Sequence, residues 1–173
     1  QFLPTVSPHN PGQVLVACDM TGAYITHDAG RSWRMFNLRG RVHFFVFDPG
    51  DPQVIYAKAT GLWRSSDKGK TWNLLHPDPS AIERIDMGDD HAGETIVFRG
   101  EPSGTITALA VDPAPSRSLY AVFRNGSVFT VQESRDQGKT WKRSSDLPAG
   151  GTAIYVDPNS PAQDRTLYLT GRR

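Results

Sequence analysis

The stretch "SSDKGKTWNLL" (residues 65–75) places a charged turn, a tryptophan and an apolar run within eleven positions. Two further stretches have the same form, "THDAGRSWRMF" (residues 26–36) and "SRDQGKTWKRS" (residues 134–144). All three read Ser/Thr-x-Asp-x-Gly-x-Ser/Thr-Trp, a pattern that we call the box. Five fixed positions that recur three times indicate an internal repeat, and a repeat constrains the whole fold more than any single local feature does.

The residues of each box are those that a tight turn between two strands requires. An aspartate accepts hydrogen bonds from backbone N–H groups a few residues later. A glycine adopts the left-handed conformation that a chain reversal demands, and a tryptophan buries a large ring where the next strand begins. The pattern contains no nucleophile paired with a base, so the boxes are predicted to be structural. Their residues are Asp28, Gly30, Trp33, Asp67, Gly69, Trp72, Asp136, Gly138 and Trp141.

A second element repeats out of phase with the boxes. It consists of an apolar strand, Asp-Pro, a short polar turn and a second apolar strand, and it occurs at 44–57, 107–121 and 153–169, with a degenerate copy at 7–17. One complete unit therefore has four short strands. The first two box aspartates are 39 residues apart, which is near the ~40–50 residues of a propeller blade. The second and third are 69 residues apart, which indicates an insertion.

We therefore predict an all-β fold, a β-propeller portion of four-stranded antiparallel blades that forms one domain over residues 1–173. The predicted parts are a partial first blade (1–41), a second blade (42–76), an inserted hairpin (77–103), a third blade (104–148) and a partial fourth blade (149–173). Three to four blades do not close a ring, so the remaining blades are expected from a missing segment or a second chain. The start at Gln1 rather than Met suggests a processed or trimmed chain.

Composition excludes several classes of function. The 19 Lys+Arg balance 18 Asp+Glu to a formal net charge of +1, so a nucleic-acid partner is not expected. No apolar run approaches the ~20 residues of a membrane span. The single cysteine, Cys18, cannot form an internal disulfide. The histidines lack metal-ligand spacing, and no cofactor or metal is expected.

The boxes resemble the Asp-box, or bacterial neuraminidase repeat, of sialidases, family 74 xyloglucan hydrolases, sortilin-type receptors and photosystem assembly factors. In these proteins the box is implied to be a blade turn. The Arg-Ile-Pro segment implied for sialidases is absent here. The stretch "ACDMTGAYITHDAGRSW" (residues 17–33) is similar to an early family 74 blade that reads Thr-Asp-x-Gly-Gly-Ala-Tyr-Arg, with Thr21 and Ile25 as departures.

The family 74 resemblance implies that Asp19 is the catalytic base of a glycoside hydrolase and that the second carboxylate comes from the opposite half of the ring. In an inverting enzyme one carboxylate activates water while the other, about 6.5–9.5 Å away, protonates the leaving oxygen. The internal repeat gives separate support, because the matching position of the next blade holds Lys58 and a residue that the scaffold needs would recur. The alternative is that Asp19 caps the turn before Gly22.

Tyr24, Trp63 and His91 are predicted to contact the substrate. Tyr24 and Trp63 lie in third strands, where aromatic rings stack on sugar rings or serve blade packing. His91 lies in an acidic stretch (83–100) that we interpret as a hairpin whose tip, "GDDHAG", borders a binding cleft. The carboxylates around His91 are of the type that binds Ca²⁺, but their spacing is not that of an EF-hand loop, so a solvated tip is expected.

The expected function is therefore hydrolysis of a polysaccharide or oligosaccharide by a carbohydrate-active propeller with paired carboxylates. The alternative is a non-catalytic propeller that binds protein or glycan, similar to the sorting receptors or the photosystem assembly factors. The family likeness also implies secretion to an extracellular or periplasmic location. A second carboxylate across the cleft from Asp19 would discriminate between the two functions.

Overall fold

The computed structural model describes residues 3–18, 22–88, 93–114 and 117–171. Strands form almost all of the regular structure in these ranges, which confirms the prediction of an all-β fold. By internal contacts the chain divides into two compact units, Gln1–Arg99 and Gly100–Arg173. Within the described ranges, no helix has the length and apolar character that a membrane span requires.

The first unit contains two four-stranded antiparallel sheets, each with its strands in sequence order. The first sheet consists of β1 (Leu3–Val6), β2 (Val14–Ala17), β3 (Ala23–Thr26) and β4 (Arg34–Phe36). The second consists of β5 (Phe44–Phe47), β6 (Ile55–Lys58), β7 (Leu62–Ser65) and β8 (Asn73–His76). A 3-10 turn (Pro79–Ala81) then leads into a separate hairpin of β9 (Ile82–Met87) and β10 (Glu94–Phe98).

The two sheets of the first unit share one apolar core. Alternate residues of β2, β3, β5 and β6 point to it, because side chains alternate between the faces of a sheet. The Trp72 ring stacks on Phe36 with its centroid 5.2 Å away and an interplanar angle of 12°. The buried residues of this core are Leu15, Ala17, Ala23, Ile25, Phe36, Leu38, Val42, Phe45, Phe47, Ile55, Ala57 and Ala59.

The second unit contains a four-stranded sheet and a strand pair, both antiparallel. The four-stranded third sheet consists of β11 (Thr105–Val111), β12 (Leu119–Asn125), β13 (Val128–Ser134) and β14 (Lys142–Leu147). The pair consists of β15 (Ala153–Val156) and β16 (Leu167–Thr170). Ile154 on β15 packs into a core with Val122 and Val131 of the third sheet.

The predicted partial first blade is instead a complete four-stranded sheet. The strand missed in the sequence is β1, whose residues pair with β2 from Leu3↔Ala17 to Val6↔Val14. The strand is only four residues long and contains Pro4, which weakens its sequence signal. The proline is tolerated because β1 is an edge strand of the sheet, with β2 as its one partner in the described sheet.

Each box is a turn held by its own side chains, as predicted. In the second box the Ser65 hydroxyl accepts the Gly69 N–H (2.8 Å) and donates to Asp67 Oδ1 (2.8 Å). Asp67 also accepts the backbone N–H and the hydroxyl of Thr71 (2.9 and 2.6 Å). The first and third boxes repeat these bonds with the same atoms. The box aspartates therefore use their oxygens within the turn.

The residue before each box glycine also has a left-handed backbone, with φ of 59° at Ala29, 62° at Lys68 and 63° at Gln137. This conformation costs a non-glycine residue roughly 1–2 kcal/mol. It aims the backbone N–H at the preceding Asp-Pro turn or its degenerate equivalent, where a carbonyl accepts it at 2.9 Å in all three copies. The acceptors are the carbonyl oxygens of Gly12, Gln53 and Arg117. The box thus ties its sheet's two turns together.

The pKa values of the box carboxylates indicate how the stability of the fold depends on pH. Hydrogen bonds from Ser32 lower the pKa of Asp28 to about 2, and hydrogen bonds from Thr71 lower the pKa of Asp67 to about 2. The unfolded chain binds these protons nearer pH 4, so stability rises with pH across this interval. We expect the free energy of unfolding in urea to be constant above about pH 5 and to fall from pH 4 to pH 2.

The same titration has a control in Asp67→Asn, which removes one of these carboxylates. That variant should lose less stability than the unsubstituted chain between pH 4 and pH 2. An identical pH dependence in both proteins would contradict the role given to the Asp67 carboxylate.

Candidate functional site

The two ends of each four-stranded sheet differ in what they carry. Because neighbouring strands are antiparallel, the box and the Asp-Pro turn or its equivalent lie at one end, which we call the box end. The turn between the second and third strands lies at the other, which we call the turn end. In the first sheet that turn comprises residues 18–22. Asp19 belongs to this segment but lies outside the described residues.

The structure corrects the internal alignment of Asp19 with Lys58. In the second sheet Lys58 pairs with Leu62, and three residues lie between them. In the first sheet Ala17 pairs with Ala23, and five residues lie between them. Counted from the pairing, Ala17 is therefore the equivalent of Lys58. The turn that contains Asp19 is two residues longer than its counterpart in the second sheet. The segment that contains Asp19 therefore departs from the repeat in its length rather than in the residue type at one aligned position.

Lys58 is a functional candidate that the sequence analysis did not identify. It is the last residue of β6 and is 5% exposed. Its ammonium donates to the carbonyl of Ala59 and to that of Thr60 (3.4 Å). Burial lowers the pKa of Lys58 to about 8. Burial and the positive charge of Lys58 together lower the pKa of His76 to about 4, so His76 is uncharged at neutral pH.

The predicted sugar-stacking residues lie at equivalent positions with different surroundings. Tyr24 and Trp63 each precede the first box residue by two positions. Trp63 is half-buried and packs against the core shared by the two sheets of the first unit. Tyr24 is 36% exposed, beside Met35 across the β3–β4 pair. The position of Trp63 favours packing between sheets, whereas the Tyr24 ring remains accessible.

The hairpin of β9 and β10 is attached at the turn end of the second sheet. Arg39 forms an ion pair with Glu94 (3.3 Å), and the rings of His76 and Phe98 meet edge to face at 5.3 Å. Asp86 is paired with Arg84 (2.9 Å). No group of three potential metal-binding side chains occurs in the part of the hairpin that the structure describes. The tip, with His91, lies outside the described residues.

Comparison with known proteins agrees with this geometry. The family model described as BNR/Asp-box repeat matches residues 132–143, within the third box region. Xyloglucanase Xgh74A of Acetivibrio thermocellus is 33% identical over 129 residues, which cover 68% of this chain and 13% of that protein. A xyloglucanase of Paenibacillus sp. is 27% identical over 166 residues, which cover 84% of this chain and 14% of that protein.

A solved structure supplies the architecture. The crystal structure of an ancestral GH74 enzyme (glycoside hydrolase family 74) matches with a TM-score of 0.66 and 16% identity, over 97% of this chain and 23% of that chain. At that identity the likeness concerns the fold. The chain is an Asp-box β-propeller segment related to the family 74 xyloglucanases. It spans 13% to 14% of the length of the two xyloglucanases.

In this propeller segment each four-stranded sheet is a blade, and the boxes lie at the opposite end of the blade from the turn of Asp19. Trp63 and Tyr24 are not brought together, because Trp63 faces the core between the first two blades whereas Tyr24 lies on the exposed face of the first blade. Trp63 and Tyr24 lie in the third strands of adjacent blades, while the positions of Asp19 and His91 stay predictions. The sequence analysis missed Lys58. The one feature of the sequence that pointed to it is a lysine at the end of an apolar strand.

Proposed function

We propose that this propeller segment belongs to a glycoside hydrolase that cleaves xyloglucan or a similar β-linked polysaccharide. The observation that carries the proposal is the 33% identity to xyloglucanase Xgh74A over 129 residues. The longer turn of the first blade supports it, because propeller blades of one repeat differ most where loops serve function. Secretion, to an extracellular or periplasmic location, is part of the proposal, since such polymers lie outside the cytoplasm.

In the proposed mechanism Asp19 is the base that removes a proton from the attacking water. The partner carboxylic acid, which protonates the leaving oxygen, is contributed by a blade outside this sequence. Tyr24 and His91 are proposed to contact the substrate at the turn end. Trp63 is also proposed as a substrate contact, although its packing against the core favours a structural role.

The proposal also requires further blades, and the first blade has a face suited to one. In the second blade, Trp63, Trp72 and their neighbours pack against the first blade. The equivalent face of the first blade is instead exposed, with Val6, Tyr24, Trp33 and Met35 as its large apolar residues. Because the second blade shows what covers such a face, we propose that another blade, from the same polypeptide or a second chain, covers this one.

The test of the proposed function is hydrolysis by the full-length protein that carries this segment. We expect release of reducing ends from xyloglucan and slower or no release from cellulose, mannan and bacterial peptidoglycan glycan. The readout is reducing-sugar production with product separation by mass spectrometry. Binding of a polysaccharide without cleavage would support the non-catalytic glycan-binding alternative. Absence of both cleavage and binding would contradict the proposed function.

A further inference from the structure

We propose that a groove at the turn end of the third blade binds one pyranose unit of the glycan, an inference that rests on the proposed function. The groove has a volume of about 260 Å³. It is lined by Thr107, Arg124, Phe129, Gly150, Gly151 and Thr152. This volume lies below the ~300–1,000 Å³ of sites for drug-sized ligands, so it fits a single ring rather than an oligosaccharide.

One wall of the groove is aromatic and held in place by the backbone. Phe129 is half-buried on β13. A Cβ atom at Gly150 would lie 3.0 Å from the Phe129 ring, closer than ordinary van der Waals contact. The ring thus lies directly against the main chain of residue 150. A pyranose has an apolar C–H face that packs on such a ring, and burial of both surfaces favours binding.

The other walls supply hydrogen-bonding groups that suit sugar hydroxyls. The Arg124 Nε donates to the carbonyl of Gly126 (3.2 Å), and in the described ranges no carboxylate forms an ion pair with Arg124. A guanidinium has five N–H donors, so further donors are available. The Thr107 hydroxyl donates to the Gly151 carbonyl (3.0 Å), which leaves its lone pairs as acceptors. Donors and acceptors therefore flank one apolar wall.

A second groove in the same unit shows what distinguishes this one. It has a volume of about 330 Å³ and lies at the box end of the third blade, around Trp141. There Arg135 is paired with Glu133 (2.8 Å) and the Thr140 hydroxyl is bonded to Asp136 (2.6 Å). The arginine of that groove is therefore paired with a carboxylate, whereas Arg124 at the turn end forms no ion pair with a carboxylate of the described residues. The turn end is also the end of the blade where the first blade carries Asp19.

The experiment compares Arg124→Gln and Phe129→Leu with unsubstituted full-length protein. The leucine keeps an apolar side chain in the partly packed position, and Arg124 is exposed, so both variants should fold. We expect the apparent affinity for soluble xyloglucan in affinity gel electrophoresis to fall about tenfold in Arg124→Gln, the size of one lost charged hydrogen bond. A similar loss is expected in Phe129→Leu, which removes the ring that packs on the sugar.

Arg117→Gln is the matched control, because Arg117 is an exposed arginine beyond the Asp-Pro turn of the same blade, at its box end. It should leave the affinity unchanged. Unchanged affinity in both groove variants, with native circular dichroism and intact hydrolysis, would overturn the groove assignment and leave the proposed function standing. Weaker glycan binding by the variants of a protein that never cleaves glycan would support the groove and contradict the hydrolase. Failure of the unsubstituted protein to bind any glycan would overturn both.

Discussion

Replacement of Asp112 by asparagine is expected to lower the thermal unfolding midpoint of the chain by roughly 10 °C. Asp112 accepts two hydrogen bonds from Arg165, both 2.8 Å long, and the two side chains are 1% and 4% exposed. Arg165 also donates to the carbonyl oxygens of Ala114 and Ser160. One guanidinium therefore joins the Asp-Pro turns of the third and fourth blades. Removal of its anionic partner leaves a buried cation uncompensated.

The control for this prediction is Asp157→Asn, the same change in the Asp-Pro turn of the fourth blade. Asp157 accepts the backbone N–H of Asn159 (2.9 Å). Its charge acts on Arg165, but in the described ranges it forms no ion pair with that guanidinium. We expect a shift of less than about 3 °C, measured by differential scanning calorimetry. Equal shifts in the two variants would show that the turn, rather than the bidentate ion pair, determines the loss. Arg165→Gln should add little to Asp112→Asn, because both remove one interaction.

Replacement of Asp19 by asparagine is expected to lower the turnover number of the full-length protein on xyloglucan by about 10²–10⁴-fold, the usual contribution of a general base. An amide has nearly the size of a carboxylate but cannot accept the proton of the attacking water. Substrate affinity should change little, since the contacts with the sugar remain. The measurement is the initial rate of reducing-end release at saturating xyloglucan.

If the Asp19→Asn variant is folded and keeps its activity, Asp19 caps the turn and is not the catalytic base. Addition of azide or formate offers a further check, since a small external base can replace a missing carboxylate. Partial recovery of the rate in the variant alone would support the role of Asp19 as base.

The blade turns could be predicted from sequence because their chemistry is local. Ser65, Asp67, Gly69 and Thr71 make their bonds with one another, so the pattern and its structure coincide. The left-handed residue before the glycine could not be predicted in the same way. That position holds Ala29, Lys68 and Gln137, which share no side-chain property, because its conformation depends on a carbonyl 15 to 20 residues away.

The register of the first blade shows a second limit of sequence reasoning. Alignment on Gly22 and Gly61 assumed turns of equal length, whereas the pairing of Ala17 with Ala23 and of Lys58 with Leu62 makes the first turn longer. The register between two strands, and with it the length of the turn that joins them, is known only once the pairing of the strands is known. The same limit concealed β1, whose membership in the sheet depends on its partner.

The candidate site was the least predictable part. Trp63 and Tyr24 occupy the same repeat position, yet one packs against a neighbouring blade and the other is exposed. The pairing of Arg165 with Asp112, 53 residues apart, depends on a contact between blades, and the burial of Lys58 depends on the packing around the end of β6. Such contacts follow from packing rather than from any local pattern.

The central claim is that the box aspartates hold the blades while the chemistry lies at the turn end. The measurement that tests it most directly is the turnover number of Asp67→Asn and of Asp19→Asn on xyloglucan, per folded molecule of full-length protein. We predict that Asp67→Asn keeps the turnover number within about twofold while its unfolding midpoint falls, and that Asp19→Asn loses turnover without a comparable loss of stability. The reverse result, a stable but inactive Asp67→Asn beside an active Asp19→Asn, would contradict the claim.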